Sequence, residues 1–106
     1  MPKYMFHGAY TAAGAAGLLK DGGTGRENAV KQLLASLGGS LESFYWAMGK
    51  EDFYIIAELP DARAAAALSI AVAAAGGAHA TTSELMTAAD VDDATQRRAN
   101  YRAPGA

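Results

Sequence analysis

The sequence predicts an α+β fold, a four-stranded antiparallel sheet with two helices on one face. Three observations carry that expectation. Leu41 to Asp61, LESFYWAMGKEDFYIIAELPD, reads as two strands joined by a tight turn. Helix-like stretches flank it on both sides, and one further strand-like stretch lies near each end of the chain.

Taken in order, Lys3 to Tyr10 is rich in aromatic and apolar residues and reads as a first strand. Both of its faces are apolar, which places it in the middle of the sheet. Residues 11 to 25 carry five glycines, so only a short turn of helix near Ala15 to Lys20 is expected before a flexible DGGTG turn. From Arg26 to Leu37, the spacing of Ala29, Val30, Leu33, Leu34 and Leu37 predicts an amphipathic helix. Thr24 and Glu27 have capping-box spacing at its start, and Gly38-Gly39 stop it. The GGTGR turn before this helix lacks the spacing of a phosphate cradle.

The hairpin follows, with strands at Leu41 to Met48 and Phe53 to Leu59 about a Gly49-Lys50-Glu51-Asp52 turn. Phe44, Trp46 and Met48 share one parity and read as core or dimer contact. Pro60 ends the second of these strands, and Asp61 is placed to cap an alanine-rich helix over Ala62 to Ala75. Gly76-Gly77 close that helix, Ala78 to Met86 reads as the last strand, and Asp90 to Arg98 as a short polar helix. Residues 1–88 thus form the domain and residues 89–106 a polar extension, suited to lie over a partner subunit. With right-handed crossovers the order strand, helix, strand, strand, helix, strand gives the ferredoxin-like βαββαβ arrangement, sheet order 4-1-3-2. The sheet face away from the helices is not consistently polar, so two copies are expected to pack sheet to sheet as a homodimer, a dimeric α+β barrel.

Composition narrows the partners. At 106 residues, 51% hydrophobic and 19% charged, the chain is one domain with a small core, and alanine adds little buried area to it. Nine Lys and Arg against eleven Asp and Glu, unclustered, predict no nucleic-acid binding. There is no cysteine, which excludes thiolate chemistry and Cys-bound metal and suits a cytoplasmic setting. MPKYMFHGAY lacks the pattern of a signal peptide, and no run is long and apolar enough for a membrane span.

The segment MGKEDFYIIAELPD resembles the signature of the GYD-domain family, small bacterial proteins of unassigned function. That signature runs Gly, any residue, Tyr-Asp, an apolar strand, an acidic residue and Pro-Asp. Gly49, Asp52, Glu58, Pro60 and Asp61 match it, with supporting similarity at Tyr4, Thr11, Arg26, Leu37-Gly38-Gly39 and Phe44-Tyr45. The position of the family's tyrosine is Glu51 here, leaving Tyr54, on the strand, as the phenol available to substitute for it. The resemblance implies a ferredoxin-like fold and dimerisation, and no established activity.

In a 4-1-3-2 sheet, His7, Tyr10, Asp52, Tyr54 and His79 are expected at one end. His7 or His79 with Asp52 would supply a general acid and base, and two histidines with a carboxylate are also a metal-ligand set. The plainer reading is stronger for each: a packed histidine at His7, a strand opener at His79, a turn former at Asp52. No metal or cofactor is expected. Tyr10, Tyr54 and Trp46 are the candidate lining of a small-molecule site, and Glu58 is expected to pair with Lys3. The function expected is a homodimeric small-molecule-binding module. The alternatives are a small cofactor-free isomerase or oxygenase with a histidine base, and a structural or interaction protein.

Overall fold

A computed structural model describes residues 1–106. Its elements are β1 (Lys3–Tyr10), α1 (Ala12–Ser36), β2 (Ser40–Trp46), β3 (Phe53–Glu58), α2 (Ala62–Ala75), β4 (Ala78–Leu85) and α3 (Ala88–Gln96). All four strands form one antiparallel sheet in the order β2-β3-β1-β4, which is 4-1-3-2 counted from the other edge. β1, apolar on both faces, is an inner strand.

The core lies between the sheet and the two long helices. Tyr4 and Phe6 of β1 and Phe53, Ile55 and Ala57 of β3 alternate inward, and Leu34 from α1 and Ala65 and Leu68 from α2 cover them. Leu34 and Leu59 are the largest side chains that are fully enclosed. Burial, followed by the charge of Glu84 on the neighbouring strand, raises the Tyr4 phenol above its ordinary value. Ser69 ties α2 to the edge strand, its hydroxyl 2.6 Å from that of Thr82.

Helix starts are set by side chains as well as by pattern. Asp61 accepts from the Ala64 N–H at 2.9 Å, as its position before the alanine run predicts. Thr87 and Asp90 form a reciprocal capping box that starts α3 two residues before the expected Asp90. The Thr87 backbone N–H, and after it the Thr87 hydroxyl, hold the Asp90 carboxyl below its ordinary value. No residue of α3 is buried.

The largest departure from expectation is α1. Residues 12–36 form two helical stretches joined at Gly22, where the glycine content pointed to a short turn and a flexible loop. The Thr24–Glu27 capping box does not form. Thr11 caps instead, accepting from the Gly14 N–H at 3.1 Å while its hydroxyl donates to the Gly76 carbonyl at 2.7 Å. The four glycines in helical conformation cost about 4 kcal/mol relative to alanine, and at Gly14 close packing requires the residue. A Cβ on Gly14 would stand 1.7 Å from the Gly77 carbonyl oxygen, so only glycine lets α1 start against the α2–β4 turn. Gly22 (φ 72°, ψ 172°) interrupts the helix and redirects it, a backbone region open essentially to glycine alone.

The hairpin also differs in detail. β2 ends at Trp46 and β3 starts at Phe53, so the connection is longer than the expected four-residue turn. It closes with the Ala47 N–H donating to the Asp52 carbonyl at 2.9 Å. A bulge at Glu42 separates the pairs Leu41–Ala57 and Ser43–Ile56. The extra residue reverses the parity, so Leu41 joins Phe44 and Trp46 against the core, while Tyr45 stays largely exposed.

Candidate functional site

The two sheet faces divide the predicted residues. Tyr10 and Trp46 lie on the helix-covered face, His7, Tyr54 and His79 on the bare one, and Asp52 in the connection between β2 and β3. The expected single cluster is therefore corrected to two groups, because residues of opposite parity on one strand point to opposite sides of a sheet.

On the covered face, Trp46 stacks on Phe44 with ring centroids 4.0 Å apart, and its Nε1–H donates to the Tyr10 hydroxyl at 2.9 Å. Tyr10 also packs against Phe53 at 5.2 Å. Behind this aromatic set, α1 and α2 part over the sheet and leave a cavity of about 70 Å³ floored by Phe6, Leu34, Phe53, Ile55 and Leu68. It opens into a groove of about 350 Å³ between the helices. Tyr10, Arg26, Leu33, Val72 and Ala78 line both spaces. A third hollow lies on the far side of Tyr10, against Leu18, Gly23 and Trp46. Tyr10 is thus the wall shared by all three.

On the bare face, His7 Nδ1 lies 2.6 Å from Glu51 Oε2, and the His7 ring is parallel to Tyr54 within 8° at 6.0 Å. A carboxylate only accepts, so Nδ1 of a neutral ring carries the proton and Nε2 presents the lone pair. Both side chains are mostly covered, His7 to 19% and Glu51 to 29% exposure. The partner of His7 is thus Glu51, where Asp52 was the expectation. Asp52 faces the strand backbone instead. Its carboxylate accepts from the Tyr10 N–H at 2.9 Å and its own N–H donates to the Gly8 carbonyl at 2.7 Å, pinning the connection to β1. His79 pairs in register with Ala9 and is exposed, a diagonal neighbour of His7 across the β1–β4 pair. No three metal-ligating side chains gather anywhere in the structure.

At the opposite end of the bare face, Lys3 Nζ is 3.1 Å from Glu58 and also contacts Glu42. Glu42 and then Glu58 raise the lysine above its ordinary value. Glu58 was predicted to take Lys3; Glu42 joins them because the bulge turns it to this side.

The hairpin that carries these contacts also carries the family signature. A family model for the GYD domain matches residues 4–95. The chain belongs to the GYD-domain family. No curated protein and no solved structure matches it. Within the GYD signature, Gly49 has φ 157°, Asp52 pins the connection, Glu58 pairs with Lys3 and Asp61 caps α2. Those roles are architectural. Glu51, which stands where the signature has tyrosine, supplies instead the carboxylate beside His7. Sequence reading missed this pair because a turn residue's side-chain direction depends on a connection whose length was misjudged. Arg26 was noted only for the family resemblance, although its place on the inner side of α1 brings it to the groove. No helix of the structure is long and apolar enough to cross a membrane.

Proposed function

We propose that this GYD domain is a homodimeric small-molecule-binding module of ferredoxin-like type, working in the cytoplasm, with its ligand site in the groove between α1 and α2. The observation that carries the reading is the apolar cavity beneath the two helices, open to a wider groove and walled by Tyr10. An apolar pocket edged by a few polar groups is what small-molecule recognition requires.

The second copy belongs on the bare sheet face, giving a dimeric α+β barrel. Met5, Tyr45, Tyr54, Ile56 and Leu85 lie there without cover from the helices. Only ten of 106 residues are buried, and the radius of gyration is 16.8 Å against about 13 Å for a compact chain of this length. Four strands of six to eight residues offer a flat area of roughly 450 Å² before side-chain relief. That relief, with α3 or the tail folded over the partner, brings the contact toward the about 800 Å² per subunit of a stable pair.

The test is a thermal-shift screen of the purified chain against small apolar and amphipathic metabolites. At a concentration well above its dissociation constant, a true ligand stabilises by more than about 1 kcal/mol. A broad screen with no stabiliser of that size contradicts the reading.

A second reading rests on the His7–Glu51 contact. An imidazole oriented by a carboxylate is suited to act as a general base in a cofactor-free isomerase or oxygenase, with His79 nearby on the same face. Once a turnover reaction is in hand, unchanged rates in both His7→Ala and His79→Ala remove this alternative.

A further inference from the structure

We propose that the groove takes a small aliphatic acid, its alkyl end in the cavity under the helices and its carboxylate between Arg26 and Tyr10. The proposal rests on the binding-module reading above and narrows it to a chemical class.

Size and polarity fix the buried end. At about 70 Å³ the cavity has half the volume of the about 150 Å³ cavity that admits benzene. A short alkyl chain fits it and a ring system does not. Its floor of Phe6, Leu34, Phe53, Ile55 and Leu68 offers no partner to a polar group, whose burial there would go uncompensated. Ser69 also lines the cavity, but its hydroxyl is already engaged with Thr82 and with the Ala65 carbonyl.

Charge fixes the other end. Arg26 lines both the cavity and the groove, and its one acidic partner, Asp21, stands at 3.9 Å. A guanidinium has five N–H donors, and so loose a contact leaves most of them uncommitted. The Tyr10 hydroxyl accepts from Trp46, which leaves its own proton free to donate. The groove therefore presents donors and positive charge beside an apolar hole. A carboxylate with an alkyl tail matches both, and Arg binds carboxylates strongly because the two geometries fit. Asp21 lines the groove as well and competes for the same guanidinium.

The test is calorimetric titration of the full chain with hexanoate and with hexanamide, which have nearly the same shape and differ in charge. Wild type is expected to bind hexanoate about tenfold or more tightly than hexanamide, the scale of hydrogen bonds to a charged group. Arg26→Gln should abolish that preference, with an unchanged far-UV spectrum showing that the fold is intact. Asp21→Asn should tighten hexanoate several-fold by releasing Arg26, a gain that a merely structural Asp21 would not give. Equal affinity for acid and amide, or a preference untouched by Arg26→Gln, overturns the acid assignment and leaves the binding-module reading standing. Failure of both probes overturns it too, and the metabolite screen then decides the wider reading separately.

Discussion

The two faces of one sheet have been put to different uses by the same strands. Toward the helices, β1 and β3 present Tyr4, Phe6, Phe53, Ile55 and Ala57, all buried. Away from them, the alternate residues Lys3, Met5 and His7, with Tyr54, Ile56 and Glu58, are half covered or exposed and include the Lys3–Glu58 ion pair and the His7 side chain that bonds Glu51. The covered face is closed by packing within the chain. The bare face holds its ionisable groups toward the two ends, Lys3–Glu58–Glu42 and His7–Glu51, and keeps Met5 and Ile56 between them, flanked by Ser43 and Ser83 on the edge strands. A polar rim about an apolar middle is what the proposed dimer requires of this face.

That contrast has measurable consequences. Leu34→Ala removes a fully enclosed side chain from under the helices and should cost about 2–5 kcal/mol in a denaturant titration. At dilutions too low for association, Ile56→Ala on the bare face should cost under about 1 kcal/mol. Equal costs would break the distinction between the faces. An effect smaller than that of Leu34→Ala but larger than that of Ile56→Ala is expected at Gly22→Ala, about 1–3 kcal/mol, because φ 72° with ψ 172° is strained for any side chain. If that variant were as stable as wild type, the redirection of α1 over the groove would not depend on glycine.

The smallest effect concerns α3, which lies outside both faces. Its Asp90 carboxyl is held low by Thr87, so the cap contributes above the ordinary carboxylate value of 3.8 and is lost as pH falls through the lowered one. Exchange protection at Thr87, Asp90 and Val91, taken relative to the intrinsic rate at each pH, should fall in that acid range, while that of the sheet amides, which lack this linkage, should not follow.

Much of this was legible in the residues. Alternation in β1 and β3, the Asp61 cap and the Gly76 stop are local signals, and they place strands and α2 to within a residue or so. The Lys3–Glu58 pair follows from antiparallel pairing once the strand order is known. What stayed hidden depends on contacts between distant segments. Gly14 tolerates a helix because Gly77 lies against it, a neighbour not apparent from residues 11 to 25. The bulge at Glu42 likewise leaves no mark in the hydrophobic pattern except a parity that fails, and the His7–Glu51 pair depends on where the six-residue connection folds.

Sedimentation equilibrium of wild type beside Ile56→Lys tests the division of the two faces most directly. The account predicts twice the chain mass for wild type, and a folded single chain for the variant, whose charge lies in the middle of the contact. A wild type that stays at one chain mass across the accessible concentration range, or a variant that stays paired, would contradict it.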